Sequence, residues 1–195
     1  MSEITITPAT TALVLIDLQR GIVGGITVPH TATKVVERAA TLAQACRKAG
    51  VLVVLVRVDV GPSGVLFPRV TADVQRPPFA VPDDWADLAP ELGATSGDVI
   101  VTKHQPNAFF GTDLDIQLTR RGIHTILLGG ISTNIGVEGT ARAAHERGYD
   151  QIFIEDAMTA RETDLHEFPV QRFFPTIGRV RSTSEVLTAL ARSNR

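Results

Sequence analysis

Apolar residues along this chain gather into short runs separated by longer polar or amphipathic stretches. The runs stand at Ala12–Ile16, Val51–Val56, Val99–Val101, Ile126–Leu128 and Ile152–Ile154, with a weaker one at Gly178–Val180. They are brief and rich in β-branched residues, which predicts strands covered on both faces. Between the first two runs the period changes to that of a helix. Ala32, Val35, Val36, Ala39, Leu42, Ala43 and Cys46 share one face, Lys34, Glu37, Arg38, Gln44 and Lys48 line the other, and Gly50 stops the element. A second helix is expected over Asp113 to Arg121, ending at Gly122. A third runs from about Asn134 to Arg147, with Val137, Thr140, Ala141 and Ala144 as its core stripe and Gly148 as its stop. Ser182 and Glu185 have the spacing of a capping box that opens a last helix through Leu187 and Leu190.

Strands alternating with helices predict an α/β fold: a Rossmann-like, three-layer α/β/α sandwich around a mostly parallel sheet of about six strands. The stretch 58–97 breaks the alternation. It is rich in proline, glycine and aspartate, and a connection this long is expected to lie over the carboxyl edge of the sheet as a pocket wall. No repeat or second domain is visible, so residues 1–195 are expected to form one domain, a size that can bury its own core.

Composition narrows the function classes. Hydrophobic residues make up 44% and charged residues 21%, with a formal net charge of −2, which offers no electrostatic footprint for nucleic acid. No run approaches the roughly 18 apolar residues of a membrane span, and the run at Ala12 is too short and lacks the basic flank of a signal peptide. One cysteine cannot form an internal disulfide. A cytoplasmic protein without a nucleic-acid partner is the expectation.

Open parallel sheets bind ligands beyond the carboxyl ends of their strands, so the polar residues at strand ends are the candidates for chemistry. The first run ends in Asp17-Leu18-Gln19 and the third in Thr102-Lys103-His104, while the fourth opens into Gly129-Gly130-Ile131-Ser132-Thr133-Asn134-Ile135-Gly136. An acid, a base and a glycine-rich turn would meet at one edge. Spacing alone favours the plainer reading of Asp17 and Lys103 as solvated charges at strand ends.

Four segments resemble the isochorismatase-like hydrolases: TALVLIDLQ at 11–19, KHQPNAFFGTDLDIQL at 103–118, GGISTNIGVEGTARAAHERGYD at 129–150 and EDA at 155–157. They stand in that family's order and spacing across nearly the whole chain. The resemblance implies an active site of an aspartate, a lysine and a cysteine nucleophile. The first two map to Asp17 and Lys103, and the cysteine's place falls on Gly136. Cys46, on the apolar face of the first helix, reads as a buried structural thiol. Thiol chemistry of the family's amidase kind is therefore not expected. Members that cleave vinyl ethers likewise carry glycine there: the aspartate protonates the enol carbon and water attacks the resulting cation. True isochorismatases also place a glutamine just after the second strand, where this chain has Arg57-Val58-Asp59.

The resemblance also implies a non-proline cis peptide at Ile131-Ser132, an association of several copies, to which the apolar segment Phe168–Ile177 would contribute, and no cofactor. Metal-binding relatives use histidines after the second strand. None occurs between Val58 and Gly97, so no metal is expected. His30 and His145 read as residues on the solvent face of helices, and His124 as preceding a strand. His104 lies within reach of the pocket, and His166 resembles a histidine of the family's last helical region. Substrate contacts are expected from Thr133, Asn134, Ile135, Asn107 and Phe110, with the N–H groups of Ile135 and Gly136 suited to a carboxylate. Phe110 and Trp85 suit either pocket or core, and Arg57 either a substrate carboxylate or Asp59. Two function classes stand: a hydrolase without a nucleophile, and a catalytically silent relative that binds a small ligand or serves in assembly. A neighbouring lysine would suit Asp17 to a base and burial to an acid.

Overall fold

The computed structural model describes residues 3–60, 70–74 and 81–193. Six strands form one sheet: β1 (Thr11–Ile16), β2 (Leu52–Val58), β3 (Val99–Lys103), β4 (Thr125–Ile131), β5 (Asp150–Thr159) and β6 (Arg179–Arg181). Every pairing is parallel and the order is β3-β2-β1-β4-β5-β6. All six residues of β1 are buried. The two-residue period of the strand divides them between two cores. Leu13 and Leu15 pack with helices α2 (Ala32–Ala49) and α7 (Thr183–Ser193), while Ala12, Val14 and Ile16 pack with α3 (Leu114–Thr119) and α4 (Glu138–Glu146).

Local signals act as the pattern predicts. Helix α2 buries the expected stripe from Ala32 to Cys46, Thr31 caps it by accepting the Lys34 N–H, and Gly50 ends it at φ 76°. The Ser182 hydroxyl accepts the Glu185 N–H at 3.3 Å while Glu185 accepts the Ser182 N–H at 2.8 Å, closing the capping box of α7. Three short helices have no periodic signature: α1 (Arg20–Val23), α5 (Thr163–Phe168) and α6 (Phe174–Ile177). Of the aromatic segment expected to support assembly, Phe174 turns inward and stacks on Phe153 at 4.1 Å, whereas Phe168 is exposed.

This strand order places the site. From β1 the chain moves outward through β2 to β3, then returns to the other side of β1 as β4, so the connections leaving β1 and β4 part to opposite faces of the sheet at their carboxyl ends. The two strands approach closely there: Gly130 has φ 128°, and a Cβ on it would lie 2.1 Å from the Ile16 carbonyl oxygen. Within the connection 58–97, residues 81–93 return beneath the end of β1. Gly21 donates to the Trp85 carbonyl at 3.0 Å and Ala89 to that of Leu18 at 2.9 Å. Much of the stretch read as a pocket wall, 61–69 and 75–80, lies outside the described residues. Among the described residues no helix is long and apolar enough to cross a membrane.

Candidate active site

Asp17 is the first residue beyond β1, and its φ of 55° makes it the one non-glycine residue with positive φ among those described. Such a backbone costs about 1–3 kcal/mol and persists where the surroundings enforce it. Its N–H is held by the Val56 carbonyl at 2.8 Å, and Gln19 latches the following turn to β2. The Gln19 amide donates to the carbonyls of Val58 and Trp85 and accepts the Val58 N–H. The turn brings the carboxylate to Lys103, the last residue of β3. Lys103 Nζ lies 2.9 Å from Asp17 Oδ2 and donates to the Pro106 carbonyl at 2.6 Å. Both side chains are buried, Lys103 to 1% exposure. Asp17 Oδ1 is buried without a hydrogen-bond partner among the described residues. Burial raises the Asp17 pKa more than the charge and hydrogen bond of Lys103 lower it, and the carboxyl is pushed up to about 6.

The third component is the π-helical turn Thr133–Val137 that leads into α4. It follows a cis peptide at Ile131-Ser132. A Cβ on Gly136 would lie 3.1 Å from Asp17 Oδ2, 3.3 Å from Lys103 Nζ and 2.8 Å from Ile16 Cγ2. The Gly136 carbonyl accepts the Thr140 hydroxyl, which in turn accepts the Ala108 N–H, tying the 106–108 loop to this turn. Asp17, Lys103 and Gly136 thus converge.

The other candidates are distributed less evenly. Thr133 is fully buried with its hydroxyl 2.9 Å from His166 Nδ1, and Ile135 donates its N–H to the Ser132 carbonyl at 3.2 Å. Asn134 and Asn107 are half-buried, and the Asn107 side chain accepts the Phe109 N–H. Phe110 is 65% exposed. Trp85 is buried against Gly21, whose Cβ would collide with the indole at 1.9 Å. Arg57 donates to the Thr102 hydroxyl on the neighbouring strand, and His104 Nδ1 lies 2.6 Å from the Asp59 carbonyl oxygen. Burial pushes the Cys46 thiol up to about 12.

One histidine departs from the sequence reading. His30 is not on a helix face: Thr31 caps α2, so His30 falls in the bend before it, half-buried, with Nε2 2.8 Å from Glu155 Oε1. The same carboxylate oxygen lies 3.3 Å from Nε2 of the buried His166. Hydrogen bonds from His166 and His30, together with their charges, outweigh burial and hold Glu155 down to about 2. Sequence reasoning missed this cluster and Gln19. The available signal was an acidic pair, Glu155-Asp156, ending an otherwise apolar strand run. Asp156 has a structural role, accepting the N–H and hydroxyl of Thr183 at the start of α7.

A profile of the isochorismatase domain matches residues 11–185. The chain belongs to the isochorismatase family. It is 46% identical over 181 residues to the isochorismatase family protein YecD of Escherichia coli O157:H7, covering 93% of this chain and 96% of that one. An isochorismatase family protein of Burkholderia thailandensis has the same fold, with a TM-score of 0.92 at 44% identity, covering 97% and 100% of the two chains. More distantly, the chain is 30% identical over 175 residues to the ureidoacrylate amidohydrolase RutB of Pantoea ananatis, covering 77% and 70%.

Proposed function

We propose that this isochorismatase-family protein hydrolyses a small, carboxylated molecule without a protein nucleophile, using Asp17 as the acid and Lys103 as its electrostatic partner. The observation that carries the reading is the buried Asp17–Lys103 pair, 2.9 Å apart, with glycine where a nucleophile would touch both. A carboxyl at about 6 leaves roughly a tenth of the molecules protonated near pH 7, enough to serve as a general acid. Its Oδ1, unpartnered among the described residues, supports a proton delivered to substrate. The fitting substrate is a vinyl (enol) ether. The Asp17 proton forms a C–H bond at the enol carbon, and the oxocarbenium ion is captured by water. The water's proton returns to the carboxylate, and the hemiketal collapses to a carbonyl compound and an alcohol. Lys103 stabilises the carboxylate left when the proton departs. Arrangements of this kind also suit ligand binding, and the position of Gly136 favours that second reading if no bond is cleaved.

A panel of carboxylated vinyl ethers, esters and amides separates these readings, the amides being included because RutB is an amidohydrolase. Turnover of a vinyl ether is expected, falling at least 100-fold in Asp17→Asn and declining above about pH 6 in the parent protein. Amide turnover that is indifferent to Asp17 would reject the mechanism. Binding by calorimetry without turnover would favour the silent relative.

A further inference from the structure

We propose that His30, Glu155 and His166 form a binding site for one divalent transition metal of the zinc class, distinct from the Asp17–Lys103 pair. Three ligating atoms converge from three separate segments: the bend before α2, strand β5 and helix α5. His30 Nε2 and His166 Nε2 lie 2.8 and 3.3 Å from Glu155 Oε1, and all three atoms lie within 4.8 Å of one another. A tetrahedral zinc with bonds near 2.0–2.1 Å sets its ligand atoms roughly 3.3 Å apart, so the His166–Glu155 pair already fits, the His30–Glu155 pair opens by about half an ångström and the two Nε2 atoms adjust to match. The two imidazoles meet edge to face at 88° rather than stacking, and both Nε2 atoms face the Glu155 carboxylate.

The supporting contacts are those a ligand set needs. His166 Nδ1 is 2.9 Å from the Thr133 hydroxyl, a group able to accept the Nδ1 proton when Nε2 offers its lone pair to a cation. The His30 backbone is pinned because its carbonyl accepts hydroxyl hydrogens from Thr27 at 2.8 Å and Thr159 at 2.7 Å. Two imidazoles and one carboxylate form a borderline donor set, suited to zinc, cobalt or nickel rather than magnesium or calcium. Three protein ligands leave at least one position open. Burial is graded: His166 is 2% exposed, while Glu155 and His30 reach solvent at 34% and 23%, which provides an entry path. Without a metal, both Nε2 atoms face one carboxylate oxygen, and a cation bound between them takes each imidazole in its neutral form with the proton on Nδ1. Through Thr133 the site also bears on the turn that carries Gly136.

The test uses the untagged full chain, stripped with chelator. Zinc is titrated by calorimetry and cobalt by its visible ligand-field bands. One equivalent is expected, with the bands of an N/O-ligated low-coordinate centre and a melting temperature raised by zinc. His30→Ala and Glu155→Gln, each checked for folding by circular dichroism, should weaken binding roughly 100-fold or more. Asp17→Asn and Cys46→Ala should leave it unchanged. No binding tighter than about 100 μM would overturn the proposal. So would affinity that survives both His30→Ala and Glu155→Gln, or that is lost with Asp17→Asn.

Discussion

Replacing Asp17 with asparagine isolates the contest between burial and the Lys103 charge. The carboxyl rises from an ordinary 3.8 to about 6 in the folded protein, so the native state holds this proton more tightly than the unfolded chain does. The stability that follows is fully present below about pH 4 and is lost as the pH climbs through about 6. Two units correspond to about 3 kcal/mol. Asparagine does not titrate, and every other ionisable group is shared. The stability of Asp17→Asn minus that of the parent should therefore grow by about 3 kcal/mol between pH 4 and pH 7. Replacing the side chain adds an offset of either sign common to both ends of the range, while the attraction to the Lys103 charge acts only on the ionised carboxylate and is already contained in its raised pKa. Lys103 also donates to the Pro106 carbonyl at 2.6 Å in the parent, a contact that the substitution does not itself remove. Urea unfolding at half-unit pH intervals measures the difference, which would move the relative midpoints by more than about 1 M. A flat difference, or one that shrinks as pH rises, would refute the reasoning. The lysine would then dominate, and the carboxylate would suit a base rather than an acid.

Two further outcomes test the geometry. Gly136→Cys should fold with a loss of about 1–3 kcal/mol, because its Cβ must displace the Ile16 methyl 2.8 Å away. The new thiol, beside Lys103, should react with iodoacetamide near pH 7 faster than a model thiol, and Lys103→Ala should slow it. Labelling indifferent to Lys103 would place Gly136 away from the pair. Gly130→Ala should cost about 4 kcal/mol or more, since it requires a side chain at φ 128° and 2.1 Å from the Ile16 carbonyl oxygen. A variant melting within a few degrees of the parent would contradict that close approach of β1 and β4.

The sequence by itself determined the alternation of strand and helix, the α2 stripe, the capping box at Ser182 and the strand-end positions of Asp17 and Lys103. These are local matters of period, caps and punctuation, and the strand-end rule carries them to one edge of the sheet. Helices α5 and α6 were not legible, because packing such as that of Phe174 on Phe153 rather than periodicity holds them. Nor was the cluster of His30, Glu155 and His166, whose members are separated by 125 and 11 residues. Only strand order brings such distant residues together. The pKa of Asp17 was likewise open in the sequence, where a neighbouring lysine and a buried strand end pull in opposite directions. The tertiary structure decided it by sealing both groups from water, because desolvation depends on every atom packed around a charge and not on any one neighbour.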